Sequence, residues 1–375
     1  MNSVAVNKNN ILVILLLGLI SYFVTYLFGF ILWQDFKTLH QIALNDNSDM
    51  LSFYKFSKRD LNFAYLIVVA PKQILIGQLI NFSELFSDIE LLVFFSIKWF
   101  IYLISCIYFL NTITSYIKQR WVHTCILVFL FLNIPLLVHI PQILRDDLIT
   151  SFLILSLSSY HRIVHKDHFS PRSKRTFIQS ISFRNAKFIL VASLVLLYLT
   201  RPEYTMVIVG LMLALQLKNK TGAFLFFFSV CFFTLNFHLL YAELKYWIPL
   251  LNLNPWSYFD NFRRMLFSPN PNNVFHVFYA GYSHSLAALW FFFSKPVAMI
   301  LTLTMIISTF SRRVVFAWLI NEPYFKAFIL IPLLCISMVS LISMEVQGPR
   351  QALPFNIPLS AVIFIFFTRR FKFRP

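Results

Sequence analysis

Ten apolar runs constrain what this chain can fold into more than any single residue does. They cover roughly 11–33, 91–111, 122–140, 147–161, 187–200, 204–217, 222–242, 285–309, 327–344 and 353–368. A bilayer core is about 30 Å thick and takes about 20 residues of helix to cross, so most of these runs are near spanning length. Charged residues make up 13% of the chain, against about 25% in an ordinary soluble domain. The expected fold class is therefore an all-α polytopic membrane protein, a single integral membrane domain over residues 1–375. About ten transmembrane helices are expected, with one interfacial helix on the outer face. The first run is longer than the apolar part of a signal peptide and lacks a small-residue cleavage site, so it reads as a retained span. The four cysteines, Cys106, Cys125, Cys231 and Cys335, all fall in apolar runs and form neither a metal spacing nor a disulfide framework.

Charge decides the topology. Segment 63–80 is only moderately apolar and contains Pro71, Lys72, Gln73 and Gln78, which suits a helix lying in the interface. The ten remaining runs then place both termini in the cytoplasm, with outer loops at about 34–90 and 243–284 and a basic cytoplasmic loop at about 162–187. On this assignment 19 of the 32 Lys and Arg lie in cytoplasmic segments, together with only Asp167 and Glu322 of the 15 acids. That asymmetry agrees with the positive-inside rule. The alternative, in which 63–80 crosses the membrane, puts the N-terminus outside and ranks second. The net charge of +17 thus reads as a topology signal facing anionic lipid, with no nucleic acid implied. The expected location is the cell inner (plasma) membrane.

Chemistry is expected at the outer face. Two charged clusters, Arg145-Asp146-Asp147 and Arg201-Pro202-Glu203-Tyr204, sit at the outer ends of the short runs 147–161 and 187–200. Runs of that length cover roughly 21–23 Å, which would recess the charges below the membrane surface. Ionisable groups at such depth usually pair with one another or line a cavity. Pro202 biases Arg201 away from helical geometry. Lys295, before Pro296 in the 285–309 run, carries the same default reading. Asp260 and Arg263, among Asn and aromatic residues of the late outer loop, suit sugar recognition. His161, His165 and His168 fall in the basic loop and read as solvated. No phosphate-binding glycine loop, dinucleotide fingerprint or nucleophile elbow occurs.

The order of these features resembles the GT-C superfamily of membrane glycosyltransferases, which take sugars from polyprenyl-phosphate carriers. It also resembles bacterial O-antigen and capsular polysaccharide polymerases. The resemblance rests on a first span, an outer loop with Asp49-Met-Leu-Ser-Phe-Tyr54, and an interfacial segment with Ala70-Pro71. It continues through Pro141…Arg145-Asp146-Asp147-Leu148, a basic loop, Thr200-Arg201-Pro202-Glu203, and Gly348-Pro349-Arg350 before the last span. It implies glycosyl transfer at the outer face, with a polyprenyl-phosphate-linked glycan and membrane lipids as partners. Such transfer needs a base for the acceptor hydroxyl and a cation, from side chains or a divalent metal, on the leaving phosphate. Asp49 is the first choice for the base, with Asp146 or Asp147 second. Arg145, Arg201 and Arg350 suit the phosphate because a guanidinium matches its forked geometry. Lys72 would meet the carrier phosphate at headgroup depth, and Glu203 and Tyr204 would complete the substrate site. No metal ligands are assigned. The competing class is a transporter or flippase of a lipid-linked glycan, which should line a path through the midplane. Charge gathered at one face favours the enzyme.

Overall fold

The computed structural model describes residues 8–32, 71–86, 89–117, 119–133, 136–137, 140–141, 145–165, 185–216, 322–332, 334–335 and 348–370. These residues are helical, with no strand among them. The elements are α1 (Lys8–Leu32), α2 (Pro71–Glu84), α3 (Glu90–Ile113), α4 (Arg120–Phe131), α5 (Asp146–Val164), α6 (Ala186–Tyr198), α7 (Pro202–Ala214) and α8 (Gly348–Arg370). A 3-10 turn, Thr114–Tyr116, extends α3, and a π-helical segment covers Lys326–Leu330. Among the described residues one helix, Glu90–Tyr116, is long and apolar enough to cross a membrane, and shorter apolar helices accompany it. The chain divides into two compact units: Met1–Thr200 with Ile357–Pro375, and Arg201–Asn356.

Side-chain contacts fix how the helices of the first unit run. Tyr22 hydrogen-bonds Ser96 (2.9 Å), Trp99 Nε1 donates to Ser21 Oγ (3.1 Å), and Gly18 lies against Leu103. Partner numbers fall as residue numbers rise, so α1 and α3 are antiparallel. Between α3 and α5 the numbers rise together: Lys98 meets Asp147, Tyr108 meets Ser159, and Thr112 meets Arg162. Those two helices are parallel, and α4 returns the chain between them, with Tyr102 Oη donating to Leu130 O. Arg145 reaches Thr200 O and Ser156 reaches Ser193 Oγ, so α6 is antiparallel to α5. The ends thus sort into two poles. One pole holds the N-termini of α3 and α5, with Glu90, Asp146 and Asp147. The other holds the N-termini of α1, α4 and α6, with Lys8, Arg120 and Lys187.

The central helix buries a row of hydroxyls. On α5, Thr150, Ser151, Ser156, Ser158 and Ser159 are all buried. Thr150 and Ser151 bond back to the carbonyls of Asp146 and Asp147, which satisfies their hydroxyls within the helix. The surrounding helices turn large apolar side chains outward: Leu12, Leu15, Leu16, Leu19 and Phe23 on α1, Phe100 and Ile104 on α3, and Phe188, Val191 and Val195 on α6.

Two expectations about length are corrected. The run at 147–161 is a 19-residue helix, Asp146–Val164, which rises about 28 Å. Its first residues are therefore buried by packing against α3 and α6, not because the helix is short. The run at 122–140 is not one helix, because α4 ends at Phe131. Asn133 then starts a new turn, its Oδ1 accepting the Leu136 amide (3.3 Å), as an N-cap residue does. The expected spans 222–242 and 285–309, with Lys295, lie outside the described residues.

A local prediction follows from the α1–α3–α4 contact. A Cβ on Gly18 would meet Leu103 Cδ1 at 3.7 Å and Phe131 Cε1 at 3.9 Å, ordinary van der Waals distances. Gly18→Ala is expected to be accommodated and to stabilise the protein by up to about 1 kcal/mol through helix propensity. Thermal denaturation in detergent checks this, and a loss of stability would contradict the spacing.

Candidate functional site

At the acidic pole the start of α5 carries Arg145, Asp146 and Asp147, all three buried. Both carboxylates fall in the first turn, where the helix dipole favours negative charge. Arg145 is the N-cap residue, and its Nη1 points to the carbonyl of Thr200 at 3.4 Å. That carbonyl follows the last turn of α6, so a cation there answers the opposite end of a helix dipole. Arg145-Asp146-Asp147 thus joins α5 to the C-terminal end of α6.

A fourth ionisable group completes the cluster. Lys98 projects from α3 and is fully buried, its Nζ 3.0 Å from Asp147 Oδ1, with Asp147 equally inaccessible. The negative charge of Asp146 also acts on Lys98. The contact is a fully buried ion pair. Lys98 carries the same sequence signal as Lys295, a lone cation inside an apolar run. The same rule that singles out Lys295 would have found it.

Arg201, Glu203 and Tyr204 belong to the second unit. Arg201 adopts φ −153° and ψ 85°, outside helical geometry, and Pro202 opens α7 behind it. Its guanidinium stacks over the Tyr204 ring at 4.8 Å, and Tyr204 packs against Phe355 at 5.0 Å between centroids. Glu203 and Arg350 lie in α7 and α8, and Lys72 lies in the first turn of α2. Their side chains, and all of Asp49, Asp260 and Arg263, lie outside what is described.

The opposite pole holds a second buried polar cluster, which corrects the reading of 161–165 as a solvated loop. The helix continues through this stretch, and His161 and Arg162 are buried. His161 Nε2 shares a hydrogen bond with Tyr116 Oη (2.8 Å). Arg162 donates from Nε to Thr112 Oγ1 (2.7 Å) and from Nη2 to the Tyr108 carbonyl (3.2 Å), with its guanidinium 4.2 Å over the Tyr108 ring. These partners lie in the last turns of α3, where a cation is favoured. Arg162 therefore helps hold the ends of α3 and α5 together. Thr112→Val removes one acceptor from a buried guanidinium and is expected to cost about 1.5–3 kcal/mol. Chemical denaturation in detergent would measure it. An unchanged midpoint would show that the bond contributes nothing.

No group of three or more His, Cys, Asp or Glu that could hold a metal occurs among the described residues. No family model, curated protein or solved structure matches this chain.

Proposed function

We propose that this chain is a multi-pass membrane glycosyltransferase, acting at the outer face on polyprenyl-phosphate-linked sugars during cell-surface polysaccharide assembly. Repeat-unit polymerisation is one form this activity would take. Membrane insertion is supported by the large apolar side chains exposed on α1, α3 and α6, and by the apolar helix Glu90–Tyr116 of spanning length. Its topology is supported by the antiparallel packing of α1 and α3, which requires an even number of crossings between them. A single crossing by the 63–80 segment does not fit that packing. With Lys8, Arg120 and Lys187 at one pole and Glu90, Asp146 and Asp147 at the other, the positive-inside rule makes the acidic pole the outer one.

The observation that carries the enzymatic reading is the burial of Lys98, Arg145, Asp146 and Asp147 together at that outer pole. Charge of this kind is costly in a bilayer and marks a functional site by default. Among the described residues, these charged groups gather at the N-terminal end of α5, and the rest of α5 buries mainly apolar side chains and hydroxyls until His161 and Arg162 at its other end. That favours chemistry at one face over passage through the membrane. The roles are those the resemblance implies: Arg145, Arg201 or Arg350 supplies the cation for the departing phosphate, and Asp49, Asp146 or Asp147 takes the acceptor proton. Lys72, Glu203, Tyr204, Asp260 and Arg263 hold carrier and sugar. Lipid-linked and surface glycans from cells with and without the protein test the proposal. Loss of elongated glycan, with its lipid-linked precursor accumulating, is expected. Identical profiles would refute it.

A further inference from the structure

Lys98 lies about 12 Å along α3 from Glu90 at the helical rise of about 1.5 Å per residue, with no exposure to solvent. A cation there needs a counter-charge, and the first turn of α5 supplies it through Asp147 at 3.0 Å. The same pair of helices is tied again by Ser159 Oγ to Tyr108 Oη (3.2 Å) and by Arg162 Nε to Thr112 Oγ1 (2.7 Å). All three contacts share one parallel register, so a slip of one residue would break every one of them. The two residues before Asp147 are Arg145 and Asp146, the pair assigned above to phosphate and proton chemistry. Successive residues of a helix point about 100° apart. A fixed Asp147 therefore fixes the direction in which Asp146 and Arg145 project.

We propose that Lys98 is a positioning residue. Its ion pair with Asp147 locks the axial and rotational place of α5, and Asp147 serves this clamp, not proton transfer. Asp146 is then the carboxylate of the two that acts as a base. This rests on the glycosyl-transfer reading above, and the test separates the two.

The variants Lys98→Met, Asp147→Leu, their double combination, Lys98→Arg and Asp146→Asn are expressed in the native cells. Thermal stability in detergent and surface-glycan length are read for each. Each single variant of the clamp is expected to lose stability and to cut long glycan about a hundredfold, the effect of displacing a reacting group by roughly 1 Å. The double variant should recover both, because two apolar side chains can replace a buried ion pair without leaving an orphaned charge. Lys98→Arg should retain most of both. Asp146→Asn should abolish long glycan at a much smaller cost in stability than Asp147→Leu, which a purely structural residue would not do. A double variant that is stable but makes no long glycan would overturn the proposal by giving Lys98 or Asp147 a chemical role. Single variants as stable as the parent would overturn it equally. If deleting the whole protein leaves glycan unchanged, the activity reading fails. Recovered stability in the double variant would still establish the clamp.

Discussion

Asp147→Ala is expected to destabilise the protein by about 3–5 kcal/mol, the largest effect of any single change at the described core. The carboxylate and the Lys98 ammonium are both wholly buried and 3.0 Å apart. Removing the anion takes away the carboxylate nearest to a wholly buried cation, which then bears more of its desolvation cost. The double-mutant cycle with Lys98→Met should show strong positive coupling, since removing both charges removes the penalty. Thermal and denaturant unfolding in detergent, at matched protein concentration, measure it. Additive losses from the two single variants would contradict the pairing.

Arg201→Ala is expected to lower glycosyl transfer about a hundred- to thousandfold while leaving stability close to that of the parent. One preorganised donor at developing charge contributes about 2.7–4 kcal/mol in comparable sites. Arg201 is only half-buried, and its guanidinium leans on Tyr204 just before α7. Its loss should therefore be felt in rate before it is felt in folding. Arg201→Lys should recover part of the activity, because an ammonium keeps the charge but not the planar fork. The length distribution of surface or lipid-linked glycan, normalised to protein level, reads the result. Asp49→Asn belongs in the same experiment. Normal glycan from Asp49→Asn, with long glycan lost in Asp146→Asn, would assign the base to Asp146 rather than Asp49. Normal glycan from Arg201→Ala at normal expression would remove Arg201 from the site.

The helical class of the chain and the place of its charged clusters are legible from hydropathy alone, because long apolar runs with few breakers have one local solution. The Pro-directed break at Arg201 is legible for the same local reason. What escapes is pairing at a distance. Lys98 stands in the sequence as a lone cation in an apolar run, and only packing of α3 alongside α5 reveals Asp147 as its counter-ion. Arg162 and His161 look like the beginning of a basic loop, yet the helix continues and buries both against Tyr108, Thr112 and Tyr116. Hydropathy counts a serine or histidine as polar wherever it faces. It therefore ends α5 too early and misses that a helix rich in hydroxyls is packed inside. Asn133 is the converse case: a single cap residue divides a run that hydropathy reads as continuous.

Purified protein in liposomes carrying a polyprenyl-diphosphate-linked oligosaccharide, labelled on its sugar, distinguishes the enzyme from the flippase in one measurement. The account predicts that label moves into a longer glycan through a new glycosidic bond, with the phosphorylated carrier released, and that Arg201→Ala abolishes this transfer. Label that crosses the bilayer on an intact carrier, with no new bond formed, would contradict it.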